Sequence, residues 1–273
     1  MYLLFDIGGT NMRFVACKDG KTLGDVKVFP TPAEFNEGVL VFKRIKEEFF
    51  DGFQIKGVAG GLPGPFNREK TEIAAAPNMP GWNGKPLKIE LEKILEAPVY
   101  LENDAALATL GEATYGAGNG KNNVVYFTIS TGVGGARVVN GVIDENVSGF
   151  EPGSQFVDMK DYKTLEDSIS GKAVEAKYGK KPYEITDPAV WDELAKILAY
   201  GIHNSIAHWS PDIVVLGGSM MKEIGIPVDR VRFHLGQMPR VFPDLPLIEK
   251  SRLGDESGLY GALAYIKKLI PAE

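Results

Sequence analysis

The sequence predicts an α/β chain built in two lobes, and three observations predict it. An apolar strand, a glycine-rich turn and a second apolar strand follow one another twice. The first copy covers residues 2–7, the turn Gly8-Gly9-Thr10-Asn11, and residues 12–17. The second covers residues 124–129, the turn Ser130-Thr131-Gly132-Val133-Gly134-Gly135, and residues 136–139. Hairpins and helices then recur in the same order in both halves, a pattern consistent with an old duplication. Finally, 273 residues suit one large domain or two moderate ones, with ample core. Glycine lets a turn bring its N–H groups close to an anion, because no Cβ stands in the way. Two such turns, one near the start of each half, point to two lobes that grip the phosphates of one nucleotide.

The segment after each turn narrows the turn's type. A dinucleotide fingerprint or a P-loop passes from its glycines directly into a helix. Here Met12-Arg13-Phe14-Val15-Ala16 continues as a β-rich run, and no Gly-Lys-Ser/Thr ending is present. A hairpin-borne phosphate loop remains, beside the plain alternative that either turn alone is structural.

The remaining elements come in order along the chain. Residues 22–28 are expected to form a third strand. Residues 35–50 carry the apolar spacing of an amphipathic helix at Phe35, Val39, Leu40, Phe42, Ile45 and Phe49. A short strand at 54–60 leads into the turn-rich Gly61-Leu62-Pro63-Gly64-Pro65. Residues 77–84 form an irregular loop anchored by Trp82, of the kind that often lines ligand sites. A helix at 87–96, a strand at 99–101 and a helix at about 105–115 complete the first half. In the second, the Asn140-Gly141 turn leads to Val142-Ile143 and a polar loop through Glu151-Pro152-Gly153-Ser154. Helices are expected at 165–178 and 189–209, with Trp191 and Trp209 in the core. A buried strand at 213–216 ends at Gly217-Gly218-Ser219, and a helix at 258–269 closes the chain.

Composition excludes several classes. A formal net charge of −6 gives no basic footprint for general nucleic-acid binding. With one cysteine, Cys17, neither an internal disulfide nor a cysteine-based zinc cluster can form, and a buried inert thiol is expected. No leader-type segment and no uninterrupted apolar run of membrane-spanning length is present. A cytoplasmic protein without membrane or nucleic-acid partners is the expectation.

Two acidic positions carry chemistry. Asp6 ends an apolar strand immediately before the first glycines, and a buried charge costs several kcal/mol, on the order of the penalties in, unless it is paired. Mg²⁺ bridged to phosphates would satisfy it, and so would the turn's own N–H groups. Glu102-Asn103-Asp104 places acid at a strand's carboxyl end before a helix, where Asn and Asp also serve as N-caps. The functional alternative has Asp104 accept a proton from an attacking hydroxyl while Asn103 bonds the same substrate. Ligands of α/β sheets gather at strand carboxyl ends. His203, His208 and His234 lack metal-ligand partners at useful spacing.

Five segments in order resemble the ROK family, the sugar kinases, repressors and open reading frames with an actin-like, ribonuclease-H-like ATPase core. They are Asp6-Ile7-Gly8-Gly9-Thr10-Asn11, Pro77-Asn78-Met79-Pro80-Gly81-Trp82, Glu102-Asn103-Asp104-Ala105, Ser130-Thr131-Gly132-Val133-Gly134-Gly135 and Leu216-Gly217-Gly218. The resemblance covers nearly the whole chain. It implies two α/β lobes around a cleft, with a first lobe of residues 1–106 plus 258–273 and a second of 107–257. It implies ATP and Mg²⁺, with Asp6, Gly8, Gly9, Thr10, Asn11, Arg13, Thr131, Gly132 and Gly134 on the phosphates and Gly217 and Gly218 on the adenosine side. Asn78, Asn103, Asp104, Glu151 and Glu166 match sugar-binding positions, with Asp104 the catalytic base. A homodimer is common in the family.

Two departures from the family pattern bear on the sugar. The usual Glu-x-Gly-His reads Glu151-Pro152-Gly153-Ser154, so Ser154 replaces the sugar-contacting and often zinc-binding histidine. Asp161-Tyr162-Lys163-Thr164 stands where a cysteine-rich zinc loop normally precedes Leu165-Glu166. No zinc and a remodelled pocket edge are therefore expected. The implied activity is phosphorylation of a hexose, glucose at its 6-position by default because the first motif resembles the glucokinase form. Fructose, mannose, N-acetylhexosamines, a polyphosphate donor and a non-catalytic sugar sensor stay open. A repressor of the family would need an N-terminal helix-turn-helix, for which the first strand leaves no room.

Overall fold

A computed structural model describes residues 1–144, 146–240 and 242–270. The chain divides into two compact units: the described residues of 1–111, 145–149 and 256–273, and those of 112–144 and 150–255.

The first unit is built on β1 (Tyr2–Ile7), β2 (Asn11–Cys17), β3 (Lys27–Pro30), α1 (Phe35–Phe49), β4 (Gly57–Leu62), α2 (Leu87–Leu95) and β5 (Val99–Asn103). To these it adds α3 (Asp104–Tyr115), as far as Gly111, and the last helix, α8 (Ser257–Leu269). Its sheet runs β3-β2-β1-β4-β5, antiparallel across the first three strands and parallel from β1 onward. Apolar residues bury both sheet faces, as parallel strands require. Phe5 and Phe14 meet Phe42 of α1 edge-on, at ring-centroid separations of 5.0 and 4.9 Å. Leu259, Ala262, Leu263 and Ile266 of α8 are fully buried.

The second unit holds β6 (Asn123–Ile129), β7 (Val133–Val139), β8 (Val142–Ile143), β9 (Phe156–Asp158), β10 (Lys163–Thr164), α4 (Leu165–Ile169) and α5 (Gly171–Tyr178). It continues with α6 (Pro188–Trp209), β11 (Ile213–Gly217), α7 (Val228–Gly236) and β12 (Leu247–Lys250). Its main sheet, β8-β7-β6-β11-β12, matches the first strand for strand, again antiparallel and then parallel. The repeated order expected from the sequence is thus a repeated topology. Val125, Phe127 and Ile129 pack in one core with Leu165, Leu194, Leu198, Ile202, Val231 and Leu235. Trp191 is buried there, and Trp209 is partly buried against it. No described helix is long and apolar enough to cross a membrane.

Several expected boundaries move. The third strand pairs only over Lys27–Pro30, because Asp19 folds residues 19–22 into a turn by accepting the N–H groups of Lys21 and Thr22, both at 2.8 Å. β4 begins later than residue 54 and continues through Gly61 and Leu62, since strands flank it on both sides. Its bare Gly60 admits the Phe5 ring, which a Cβ would meet at 2.3 Å. The helix expected at 165–178 breaks at Ser170. That residue is extended (φ −64°, ψ 157°) and accepts the Ala173 N–H at 3.2 Å, so it caps a new helix, α5. α7, β12 and the β9–β10 hairpin lie outside the elements expected from the sequence.

Candidate active site

In the first unit the carboxyl edge of the sheet gathers the predicted residues. Asp6, Gly61 and Glu102 stand in register on β1, β4 and β5. Asp104 begins α3 directly above Gly61, where a Cβ would meet the Asp104 Cα at 2.9 Å. The first glycine turn closes through the Gly8 N–H donating to the Asn11 carbonyl at 2.9 Å. Thr31 braces it from its hydroxyl to the Gly8 carbonyl (2.6 Å) and from its N–H to the Thr10 carbonyl (2.9 Å). Gly9 and Thr10 are exposed. A Cβ on Gly9 would come within 2.8 Å of the Asn78 Cβ, so the turn and the predicted sugar loop meet only because Gly9 is bare. That loop is held by Trp82, buried, donating its indole N–H to the Pro32 carbonyl at 3.0 Å.

The capping question at α3 resolves between two adjacent residues. Asn103 Oδ1 accepts the Ala106 N–H at 3.0 Å and so caps the helix. Its amide nitrogen lies 3.5 Å from the Gly64 carbonyl. Asp104 accepts the Ala105 N–H at 2.7 Å. Desolvation by burial pushes its carboxyl above the ordinary aspartate range, partly offset by the N–H groups of Ala105 and its own backbone. Asp6 is partly accessible and stands 3.7 Å from the Arg13 guanidinium. A Cβ on Gly258, in the first turn of α8, would meet the Asp6 Cγ at 2.9 Å, so the carboxylate also lies against a helix N-terminus.

Sequence reasoning did not single out Glu102. Its carboxylate is buried, pairs with Lys70, and accepts the Asn103 N–H at 3.0 Å. Burial, and then the charge of this carboxylate, push the Tyr265 phenol up to about 12.

The second unit assembles the other predicted residues. Thr128 and Gly217 stand in register on β6 and β11. Gly218 is left-handed (φ 96°), and a Cβ there would meet the Ile129 carbonyl at 2.3 Å. The second turn closes from the Ser130 N–H to the Gly132 carbonyl at 2.8 Å, with Thr131 exposed and Gly134 inside β7. Glu166, in the first turn of α4, accepts the Val133 N–H at 2.7 Å and lies against Gly132. Glu151 and Ser154 are exposed at the ends of a tight turn closed by the Ser154 N–H on the Glu151 carbonyl at 3.0 Å. That turn packs on β7 through Gly153, whose Cβ would meet the Val133 carbonyl at 2.1 Å. A cavity of about 680 Å³ elsewhere in this unit, walled by Trp191, Ile224, Pro227 and Arg230, contains none of the predicted site residues.

The chain matches the ROK family model over residues 2–269. The N-acetyl-D-glucosamine kinase of Citrobacter koseri is 30% identical, over 96% of this chain and 98% of its own. The glucokinase of Thermotoga maritima is 28% identical, over 97% and 96%. The crystal structure of a ROK hexokinase from Thermus thermophilus aligns with a TM-score of 0.77 at 27% identity, covering 98% of this chain and 99% of that one. The chain belongs to the ROK family, with its actin-like α/β fold, and is a sugar kinase of that family.

Proposed function

We propose that this sugar kinase transfers the γ-phosphoryl of ATP to a hexose hydroxyl, glucose at its 6-position by default, with Asp104 as the base. The observation that carries the reading is the division of labour at α3. Asn103 supplies the cap, so Asp104 is not needed for it, and Asp104 is the carboxyl whose proton affinity burial raises. A base with that shift binds a hydroxyl proton better than an ordinary aspartate does.

In the proposed reaction the hydroxyl oxygen forms the new P–O bond and its proton passes to an Asp104 carboxylate oxygen. The bond from phosphorus to the β–γ bridging oxygen breaks, and its electron pair leaves with ADP. Such transfer depends on positioning and on neutralising phosphate charge. Asn78 and the Asn103 amide in the first unit, with Glu151, Ser154 and Glu166 in the second, are the proposed sugar contacts. The phosphates are assigned to Gly8, Gly9, Thr10, Asn11, Arg13, Thr131, Gly132 and Gly134, and the adenosine side to Gly217 and Gly218.

Magnesium fits this chain by donor chemistry. It needs only one or two protein carboxylates beside the phosphates, and Asp6 offers a partly accessible carboxylate next to the first glycine turn. Bound there, it would neutralise phosphate charge. Asp104→Asn in a coupled ADP-release assay, over a panel of hexoses and N-acetylhexosamines, tests the proposal. Turnover is expected to fall by about 10²–10⁴-fold, the usual share of a general base, with sugar binding retained. Wild-type turnover in that variant would remove Asp104 from the chemistry. Activity in the same assay should be lost on chelation and restored by magnesium.

A further inference from the structure

The arm between β4 and the Asn78 loop is a small hairpin over residues 65–74. The Ala74 N–H bonds the Pro65 carbonyl at 2.8 Å and the Asn67 N–H bonds the Glu72 carbonyl at 3.1 Å. Asn67 Oδ1 accepts the Thr71 N–H at 2.8 Å, and the Lys70 N–H reaches the Asn67 carbonyl at 3.0 Å. At its tip Lys70 is left-handed, with φ 51°. Glycine fills such a position without steric cost and lysine does not, so the backbone gives no reason for this side chain.

The side chain's partner does. The Lys70 ammonium reaches the Glu102 carboxylate, whose side chain is 7% exposed while that of Lys70 is 45% exposed. Glu102 sits immediately before Asn103 and Asp104 and holds the Asn103 N–H on its other oxygen. Of these contacts, a buried carboxylate without Lys70 would keep only that N–H.

We propose that Lys70 is a positioning residue for the sugar: its ion pair with Glu102 fastens the 65–74 arm to the strand end bearing Asn103 and Asp104, and so sets where Asn78 stands relative to the base. The proposal rests on the reading of Asn78 and Asp104 as sugar and proton contacts.

The test uses Lys70→Gly, which favours the left-handed turn and removes the ammonium, with Lys70→Arg, Glu102→Gln and the Lys70→Gly/Glu102→Gln double variant. Lys70→Gly is expected to raise the sugar KM about five-fold, a scale set by one hydrogen-bonded contact, with kcat and the ATP KM within about two-fold. Lys70→Arg should behave as wild type. Glu102→Gln should match Lys70→Gly, and the double variant should be no worse than either. Hydrogen exchange at the Asn67, Thr71 and Ala74 amides should quicken in Lys70→Gly and not in Lys70→Arg. An unchanged sugar KM in Lys70→Gly overturns the proposal, and so does a Lys70→Arg as impaired as Lys70→Gly. If the wild type phosphorylates none of the sugars, the functional reading fails instead. Exchange then decides the fastening alone, and unchanged rates in Lys70→Gly overturn it.

Discussion

Ser219 donates its backbone N–H to the hydroxyl oxygen of Ser130 at 3.0 Å, joining the second glycine turn to the glycine pair that ends β11. The same Ser130 closes its own turn onto Gly132 and accepts the Gly171 N–H, at the start of α5, on its carbonyl at 2.7 Å. One residue thus ties together three segments, two of which the proposed function assigns to the nucleotide.

Ser130→Ala removes only the hydroxyl and leaves the Ser219 N–H without it. The nucleotide KM is expected to rise about five-fold, corresponding to roughly 1 kcal/mol for one hydrogen bond. The sugar KM should stay within about two-fold. Kinetics with each substrate varied at saturating levels of the other check this. An unchanged nucleotide KM would separate the Ser130 bond from donor binding.

Asp104 gives a pH prediction. Burial raises its folded pKa above the unfolded aspartate value, so the ionised carboxylate opposes folding. Relative to that ionised form, folding gains stability below the unfolded pKa and loses it as pH rises through the raised folded pKa. Asp104→Asn should therefore melt above wild type at neutral pH, and the gap should close on acidification below the ordinary aspartate range. Thermal melts of both proteins from about pH 3 to pH 8, spanning the ordinary aspartate pKa near 4, check the sign. A gap that widens toward acid would contradict the assigned cause.

How much of this was legible depended on what each feature leaves along the chain. The glycine turns show because apolar strands bracket them on both sides, and Asp6 shows as an acid ending an apolar run. The break at Ser170 does not, because apolar spacing continues across it and only a capping bond divides the helix. α7 buries just Val231 and Leu235, and its Phe233 faces outward among charged residues, so its periodicity is faint. The Pro227 before it was an available signal. Lys70 and Glu102 lie 32 residues apart and leave no mark in either local pattern. Whether Asn103 or Asp104 caps α3 is a matter of side-chain direction, which residue type does not decide.

Glu112 of α3 is fully buried and lies among four donors. Its Oε1 accepts the Ser251 hydroxyl (2.6 Å) and the Leu253 N–H (2.9 Å), and its Oε2 the Ala117 (2.8 Å) and Arg252 (3.2 Å) N–H groups. Glu112→Gln turns one acceptor into a donor facing donors and should cost about 1–3 kcal/mol. Glu112→Ala should cost more, since it abandons all four. Urea unfolding followed by fluorescence in a Trp82→Phe background reads the second unit, which carries Trp191 and Trp209. A Gln variant as stable as wild type would mean that the donors facing the new amide group find other partners.

Glu166 separates two roles that one carboxylate combines. It is a proposed sugar contact, and it also holds the Val133 N–H at 2.7 Å, at the second glycine turn. Glu166→Gln keeps an oxygen for that N–H but loses the charge, whereas Glu166→Ala loses both. If the bond to Val133 shapes the turn, Glu166→Gln should raise only the sugar KM, by about ten-fold, a scale of 1–2 kcal/mol for a charge-assisted contact. Glu166→Ala should raise the nucleotide KM as well. Kinetics with each substrate varied in turn distinguish the two. A nucleotide KM that stays at the wild-type value in Glu166→Ala would leave Glu166 with the sugar alone and detach α4 from the phosphate turn.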